Sequence, residues 1–318
     1  MSKFLGIDTS NYTTSAAIYA DGKVDQQKKL LPVKEGQLGL RQSDAVFHHV
    51  QQLPDVLEPL LREHSGLTAL TAIGVTSRPR DVSGSYMPCF TVGYGTGKAL
   101  ADAFGIPLHS FSHQAGHIAA ALYSAGRLDL LEQKFLAYHV SGGTTEAVLV
   151  TPDTRHGFFC EIVASSLDLK GGQAVDRVGV MLGLPFPAGK RIEELALKWE
   201  GKCSVHPTMK GNDFCLSGLE NQCKAMYDKQ KSPEEIARYC LEFLQATLDQ
   251  SCGQLLHQYG DLPVLFAGGV MSNSIIRETL TKKYGAYFAA PEFSSDNAAG
   301  IAVLTAIQEG GFSCAQPL

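Results

Sequence analysis

The chain has no Cys-x-x-Cys pair, no apolar run of membrane-span length, a single tryptophan and no surplus of positive charge over its 318 residues. Each absence excludes something. The eight cysteines, at 89, 160, 203, 215, 223, 240, 252 and 314, are scattered through expected strands and helices. They read as reduced thiols, not as a disulfide framework or a zinc ribbon. Without about twenty consecutive apolar residues, a membrane-spanning helix is excluded. Lysine and arginine number 27 against 32 acidic residues, for a net charge of −5. The basic residues are dispersed, so an RNA contact would need a local patch or a basic partner. The opening residues, MSKFLGIDTS, enter a strand at once and lack the zones of a signal peptide, so a cytoplasmic protein is expected.

What is present is an internal repeat. Residues 4–19, FLGIDTSNYTTSAAIY, return in degenerate form at 135–150, FLAYHVSGGTTEAVLV, with Phe, Leu, Ser, Thr-Thr and Ala at a constant offset. In each copy an apolar strand enters a polar turn and a second apolar strand leaves it, which is the pattern of a hairpin. Two such hairpins imply a duplicated α/β fold with two lobes, and the chain length fits two domains. The boundaries expected are 1–108 for one lobe and 109–295 for the other, with a last helix at about 296–310 that packs back on the first.

Between the hairpins, 43–64 reads as an amphipathic helix with Val46, Val50, Leu53, Val56, Leu57, Leu60 and Leu61 on its apolar face. Pro54 and Pro59 predict a kink or a break. A buried strand is expected at 71–76, a loop at RPRDVSGSYMP, a glycine-rich helix at 90–104 and a short strand at 106–108. Helices follow at 113–125 and 233–259, and a strand over 264–270 leads into a helix that starts near Asn273. Asp296 and Asn297 open the final helix.

His113 and His117 stand at i and i+4 in SHQAGHIAAAL, so on a helix both imidazoles project from one face at a spacing that can chelate one ion. Asp296 is a candidate third ligand, although a carboxylate at a helix start also suits an N-cap. A zinc protease needs Glu directly after the first His as its general base; here Gln114 stands there and cannot take a proton. Ser141 lacks the G-x-S-x-G context of a hydrolase nucleophile, and a phosphate-binding turn is the better use for it. Gly142-Gly143 and Gly268-Gly269 each follow an apolar strand and would permit positive φ and close approach of a ligand. Asp176 and Glu193 lie on expected helices from which a carboxylate could reach a ribose hydroxyl.

Taken in order, HQAGH, VSGGTTEAVLV, GGQAVDRVGVMLGLPFPAGKRIEELA, DFCLSGL, AGGVMSNSIIR and SSDNAAGIA resemble the motifs of the transferase subunit of bacterial tRNA threonylcarbamoyladenosine synthase, the glycoprotease-like family. The resemblance implies a duplicated actin-like (ribonuclease H-like) fold, shared with sugar kinases and Hsp70, with a nucleotide and metal cleft between its lobes. It implies a metal-dependent acyltransferase that moves threonylcarbamoyl from an ATP-derived adenylate to the exocyclic amine of the tRNA adenosine beside the anticodon. Carried over by position, His113, His117 and Asp296 would hold one divalent ion, iron or zinc. His139, Val140, Ser141, Gly142, Gly143, Asp176, Gly189, Glu193 and Asn273 would bind the adenylate. The implied partners are tRNA, reached through other proteins, and an actin-like paralogue.

This chain departs from the family pattern at several points. An Asp-Glu pair in the first hairpin is replaced by Tyr12-Thr13, the histidine after SGG by Thr144, DDAAGEAFDK by DLKGGQAVDR, and a short Gly-Pro-Gly segment by the longer SRPRDVSGSYMPCF. A divergent paralogue is therefore expected. Two alternatives follow: a carbamoyl-type transferase with a non-tRNA acceptor, and a non-catalytic nucleotide-binding regulator.

Overall fold

A computed structural model describes residues 2–10, 12–32, 40–64, 70–153, 157–201 and 203–310. The chain divides into two compact units: Met1–Gln133 with Thr151–Cys160 and Glu292–Leu318, and Lys134–Val150 with Glu161–Pro291. The first unit therefore extends beyond the boundary expected at 108.

In the first unit β1 (Lys3–Ser10), β2 (Thr13–Ala20), β3 (Lys23–Leu30), β4 (Leu70–Arg78) and β5 (Leu108–Ser112) form one sheet in the order β3-β2-β1-β4-β5. β1 pairs antiparallel with β2 and parallel with β4. Sequence explains the ranking of the strands. FLGIDTS is buried along its whole length and takes the centre, while KVDQQKKL keeps most of its side chains partly or fully exposed and takes the edge. Lysines on an edge strand discourage pairing with another chain. The helices α1 (Gln42–Glu63) and α2 (Phe90–Phe104) pack on this sheet through Leu53, Val56, Leu57, Leu60 and Ala101. The last helix, α9 (Ala299–Gln308), packs on β1 and β4, and α3 (His113–Ser124) packs on α9. That packing places α3 with the first unit. Small residues make the approach possible: a methyl on Gly6 would stand 2.7 Å from the carbonyl oxygen of Ala298.

In the second unit β6 (Phe135–Val140), β7 (Thr145–Asp153) and β8 (Gly157–Ser165) are joined by β11 (Val264–Ala267) and β12 (Tyr287–Phe288) in the order β12-β11-β6-β7-β8. The ends of β7 and β8 nearest their connection count with the first unit. Read from the meander outward, both sheets have one topology: three consecutive strands, then two that return parallel. The registers match as well, with Phe4 opposite Tyr19 in one hairpin and Phe135 opposite Val150 in the other. The duplication in the sequence is thus a duplication of pairing. Around the second sheet lie α4 (Gly171–Met181), α5 (Gly189–Ala196), α6 (Ser217–Asp228), α7 (Pro233–Tyr259) and α8 (Ser274–Tyr284), with a small hairpin of β9 (Thr208–Lys210) and β10 (Asp213–Cys215). Tyr138, Phe266 and Phe288 stack across three neighbouring strands with ring centroids 4.8 and 5.2 Å apart.

One expectation about α1 is narrowed and one is corrected. The helix runs without a break through Pro54 and Pro59. The carbonyls that lose their i+4 donors belong to Val50 and Asp55, both exposed residues, so water can replace the missing N–H groups. Val50 is 58% exposed and not on the buried face, which is instead Ala45, His49, Gln52, Leu53, Val56, Leu57 and Leu60. The buried His49 and Gln52 are held there by hydrogen bonds to Thr14 Oγ1, at 2.8 and 3.1 Å. Among the described residues the seven cysteines are free thiols, and Cys314 lies outside them. No helix among them is long and apolar enough to cross a membrane.

Candidate cation centre and ligand pocket

The three residues singled out as metal ligands come together within the first unit. His113 opens α3 and His117 lies one turn on, with the Ser112 side chain capping the helix through the Ala115 amide. Their Nε2 atoms stand 2.9 Å apart. Asp296 precedes α9, and its Oδ1 lies 3.5 Å from His113 Nε2 and 3.3 Å from His117 Nε2. The carboxylate is not a cap: the N-cap of α9 is Ala298, which makes no side-chain capping bond. Donor atoms about 2.0–2.1 Å from one ion stand about 2.9 Å apart at a right angle and about 3.3 Å at the tetrahedral angle. Two imidazole nitrogens and one carboxylate oxygen at these separations fit a divalent transition metal, and the set does not choose between iron and zinc.

Charge around the cluster is concentrated. Burial alone would pull His113 toward the neutral form, but the carboxylates of Asp8 and Asp296 outweigh it and raise the imidazole to about 10. Burial likewise opposes the charge on Asp296, and the hydrogen bonds and charges of His113 and His117 hold it well below the ordinary carboxylate range. Asp8 was missed by sequence reasoning, and Thr13 was named only as a departure from the family pattern. Asp8 Oδ2 lies 2.7 Å from His113 Nδ1, and Thr13 Oγ1 lies 3.5 Å from Asp296 Oδ2. The signal for Asp8 was a lone charge inside the apolar strand FLGIDTS.

The residues singled out for the adenylate lie in the second unit. A cavity of about 500 Å³ is lined by Gly142, Asp176, Gly189, Glu193 and Asn273 from that set, together with Gly172, Val175, Pro187, Lys190, Leu241, Gly269, Val270 and Ser272. That volume is in the range of small-ligand sites. His139, Val140, Ser141 and Gly143 do not line it. Ser141 closes its own turn instead, with Oγ accepting from the Thr144 amide at 3.1 Å. The turn rests on α4: Gly172 N donates to Ser141 O at 3.0 Å, and a methyl on Gly172 would lie 2.6 Å from Gly142 N. Of the two glycine pairs expected to reach positive φ, only Gly268 does, at +100°. Beside Gly142 and Gly143 a methyl would meet open space.

Three polar members of the pocket also hold its walls. Asp176 Oδ1 accepts from the Ala188 amide at 2.8 Å, just before α5. Glu193 Oε1 accepts from the Ser274 amide at 2.7 Å, and Asn273 caps α8 through the Ile276 amide at 3.2 Å. Pocket shape therefore depends on the same carboxylates that would meet a ligand.

The family description TsaD, tRNA N6-adenosine threonylcarbamoyltransferase, matches residues 27–303. This chain belongs to that family. Solved structures add the fold. The TsaD-family chain is similar to the (R)-2-hydroxyglutaryl-CoA dehydratase component A of Acidaminococcus fermentans, at 16% identity, TM-score 0.55, over 98% of this chain and 100% of that one. It is similar to a ROK hexokinase from Thermus thermophilus, at 17% identity and TM-score 0.50, over 98% and 100%. It also matches HypF of T. kodakarensis, at 13% identity and TM-score 0.63, over 97% of this chain but 47% of that longer one. At these identities the likeness is one of fold, the actin-like and sugar-kinase architecture.

Proposed function

We propose that this protein is a metal-dependent transferase that moves a threonylcarbamoyl group from its adenylate to the exocyclic amine of the tRNA adenosine beside the anticodon. The observation that carries the reading is the meeting of His113, His117 and Asp296 at metal-ligand separations in a chain of this family. These three residues would hold one divalent ion, iron or zinc. Bound there, the ion would supply Lewis acidity toward a carbamoyl or phosphate oxygen.

The remaining work falls to the second unit. The turn around Gly142 and Gly143 would receive the phosphate, because open space above both glycines lets a ligand approach the backbone closely. Val175, Leu241 and Val270 would cover the apolar faces of the adenine. The second carboxylate oxygens of Asp176 and Glu193 would accept the ribose hydroxyls while the first keep the walls in place. Delivery of tRNA is assigned to partner proteins, an actin-like paralogue among them, since the chain itself carries net charge −5. A cytoplasmic address belongs to the same reading.

Incubation with threonylcarbamoyl adenylate, unmodified tRNA and partner proteins, followed by nucleoside analysis, is expected to yield the modified adenosine. Its absence under every partner condition refutes the reading. Tyr12 and Thr13, which replace two carboxylates with a phenol and a hydroxyl, favour a second reading in which the acceptor is not tRNA. That reading predicts adenylate turnover that does not respond to tRNA. Nucleotide binding with activity indifferent to His113→Ala would instead identify a regulatory paralogue.

A further inference from the structure

The geometry points to Asp8 as the positioning residue of the cation centre: it fixes which nitrogen of His113 is offered to the ion. This inference rests on the cation reading above and goes beyond the three ligands. Asp8 lies on the central strand β1 and is only 1% exposed, between the buried Ile7 and Thr9. A carboxylate does not enter such a place without partners, because an unpaired buried charge is costly. Each of its oxygens has one. Oδ1 accepts from Thr76 Oγ1 at 2.9 Å, across the strand pair β1 and β4. Oδ2 stands 2.7 Å from His113 Nδ1. Thr76 is itself fully buried, so the carboxylate is held from one side and aimed from the other.

Tautomer is the consequence. A carboxylate only accepts, so in the neutral His113 ring the proton belongs on Nδ1, and the lone pair is left on Nε2. Nε2 is the nitrogen that faces His117 and Asp296. Without Asp8 the ring could place its proton on Nε2 and present no donor to an ion. Such second-layer carboxylates orient metal-binding histidines in general, and their loss costs about 10–100-fold in metal affinity. Thr13 plays the corresponding part for Asp296, contacting Oδ2 at 3.5 Å and leaving Oδ1 toward the imidazoles. Both orienting groups come from one hairpin, β1 and β2, so the first copy of the repeat supplies the frame for ligands that lie elsewhere in the chain.

The test measures metal alone. Binding of Zn²⁺ and Co²⁺ to the full chain would be followed by competition with a chromophoric chelator, in wild type, His113→Ala, Asp8→Asn and Thr76→Val. Ring tautomers would be read from long-range ¹H–¹⁵N histidine correlations in the metal-free state. Expected results are one equivalent bound by wild type, loss of binding in His113→Ala, affinity 10–100-fold lower in Asp8→Asn, and a smaller loss in Thr76→Val. Where His113 is neutral, wild type should carry its proton on Nδ1, and Asp8→Asn should lose that preference. If wild type binds no metal, the cation reading itself fails. If wild type binds and His113→Ala does not, while Asp8→Asn retains wild-type affinity, Co²⁺ spectrum and tautomer, the cation reading stands and the role of Asp8 is overturned. Should Asp8→Asn fail to fold, unchanged affinity and tautomer in Thr76→Val overturn it equally.

Discussion

Gly300→Ala is the sharpest test of how the fold builds the cation centre. Gly300 lies on α9 where that helix crosses α3, and a methyl there would overlap the carbonyl oxygen of Gly116 and stand 2.7 Å from the Ala120 amide nitrogen. All of these neighbours are backbone atoms, so no side chain can rotate out of the way. Relief requires the two helices to separate by about 1.5 Å or more, against a van der Waals contact of roughly 3.5 Å. Overpacking of this kind costs about 1–3 kcal/mol or more. At about 2–4 °C per kcal/mol, the melting temperature should fall by about 2–12 °C. The same movement carries His113 and His117 on α3 away from Asp296, which precedes α9, starting from separations of 3.5 and 3.3 Å. Metal distances tolerate only about 0.2 Å, so Zn²⁺ affinity should fall at least about tenfold. Chemical denaturation with and without Zn²⁺, joined to chelator competition, reads both effects. Gly95→Ala is the control: it sits in α2 with no atom within 4 Å of the added methyl and should stabilise by about 0.5–1 kcal/mol. A Gly300→Ala protein as stable and as tight for Zn²⁺ as wild type refutes the idea that the α3–α9 crossing sets the ligand geometry.

Other outcomes follow from single contacts. The raised pKa of His113 contributes stability to the metal-free protein that is fully present below the ordinary value of 6.5 and lost as pH rises through about 10; urea denaturation of chelator-treated protein at pH 6, 8 and 10 should show that decline, and a rise would contradict the pairing with Asp8 and Asp296. Gly172→Ala would press a methyl 2.6 Å from Gly142 N. That should displace the turn and weaken adenylate binding about tenfold in calorimetry while the Zn²⁺ affinity, read separately, stays at the wild-type value. Glu193→Ala removes the acceptor for the Ser274 amide. It should cost about 1 kcal/mol, visible as a shifted urea midpoint with unchanged slope.

Much of this arrangement was legible in the sequence, and what escaped has physical causes. Helices such as Phe90–Phe104 and Pro233–Tyr259 carry their own boundaries, in a left-handed Gly105 at one end and a Ser232–Pro233 start at the other. The H-x-x-x-H spacing survives because it depends only on the helical repeat. The edge strand Lys23–Leu30 was missed because an edge needs little apolar surface, and its polar sequence carries almost no periodic signal. The first unit reaches past 108 because α3 packs on α9, and a contact between small residues so distant in sequence leaves no local trace. The same reason hid Asp8: its partner His113 is 105 residues away.

The repeat also shows what duplication leaves free to change. In matching registers, Asp8 on β1 corresponds to His139 on β6, two residues before Ser10 in one copy and before Ser141 in the other. Each stands near the C-terminal end of the central strand of its sheet, where parallel neighbours end and loops begin, the place where sheets of this kind hold ligands. One copy puts a carboxylate there, paired with an imidazole from α3; the other puts an imidazole. Burial explains why such a swap is tolerated. The strand's fit in the sheet is set by the residues on either side, Ile7 and Thr9 or Tyr138 and Val140, all buried in their units. The residue between them points to the opposite face and follows the partners it meets there, which for Asp8 are Thr76 and His113. On this reasoning, an Asp8→His exchange would keep the strand pairing but crowd a buried position and replace the carboxylate acceptor of His113 with a second imidazole. It should keep the wild-type circular dichroism signature at a lowered melting temperature and bind Zn²⁺ at least about 10–100-fold more weakly, and retention of tight binding would show that β1 does no more than support the centre.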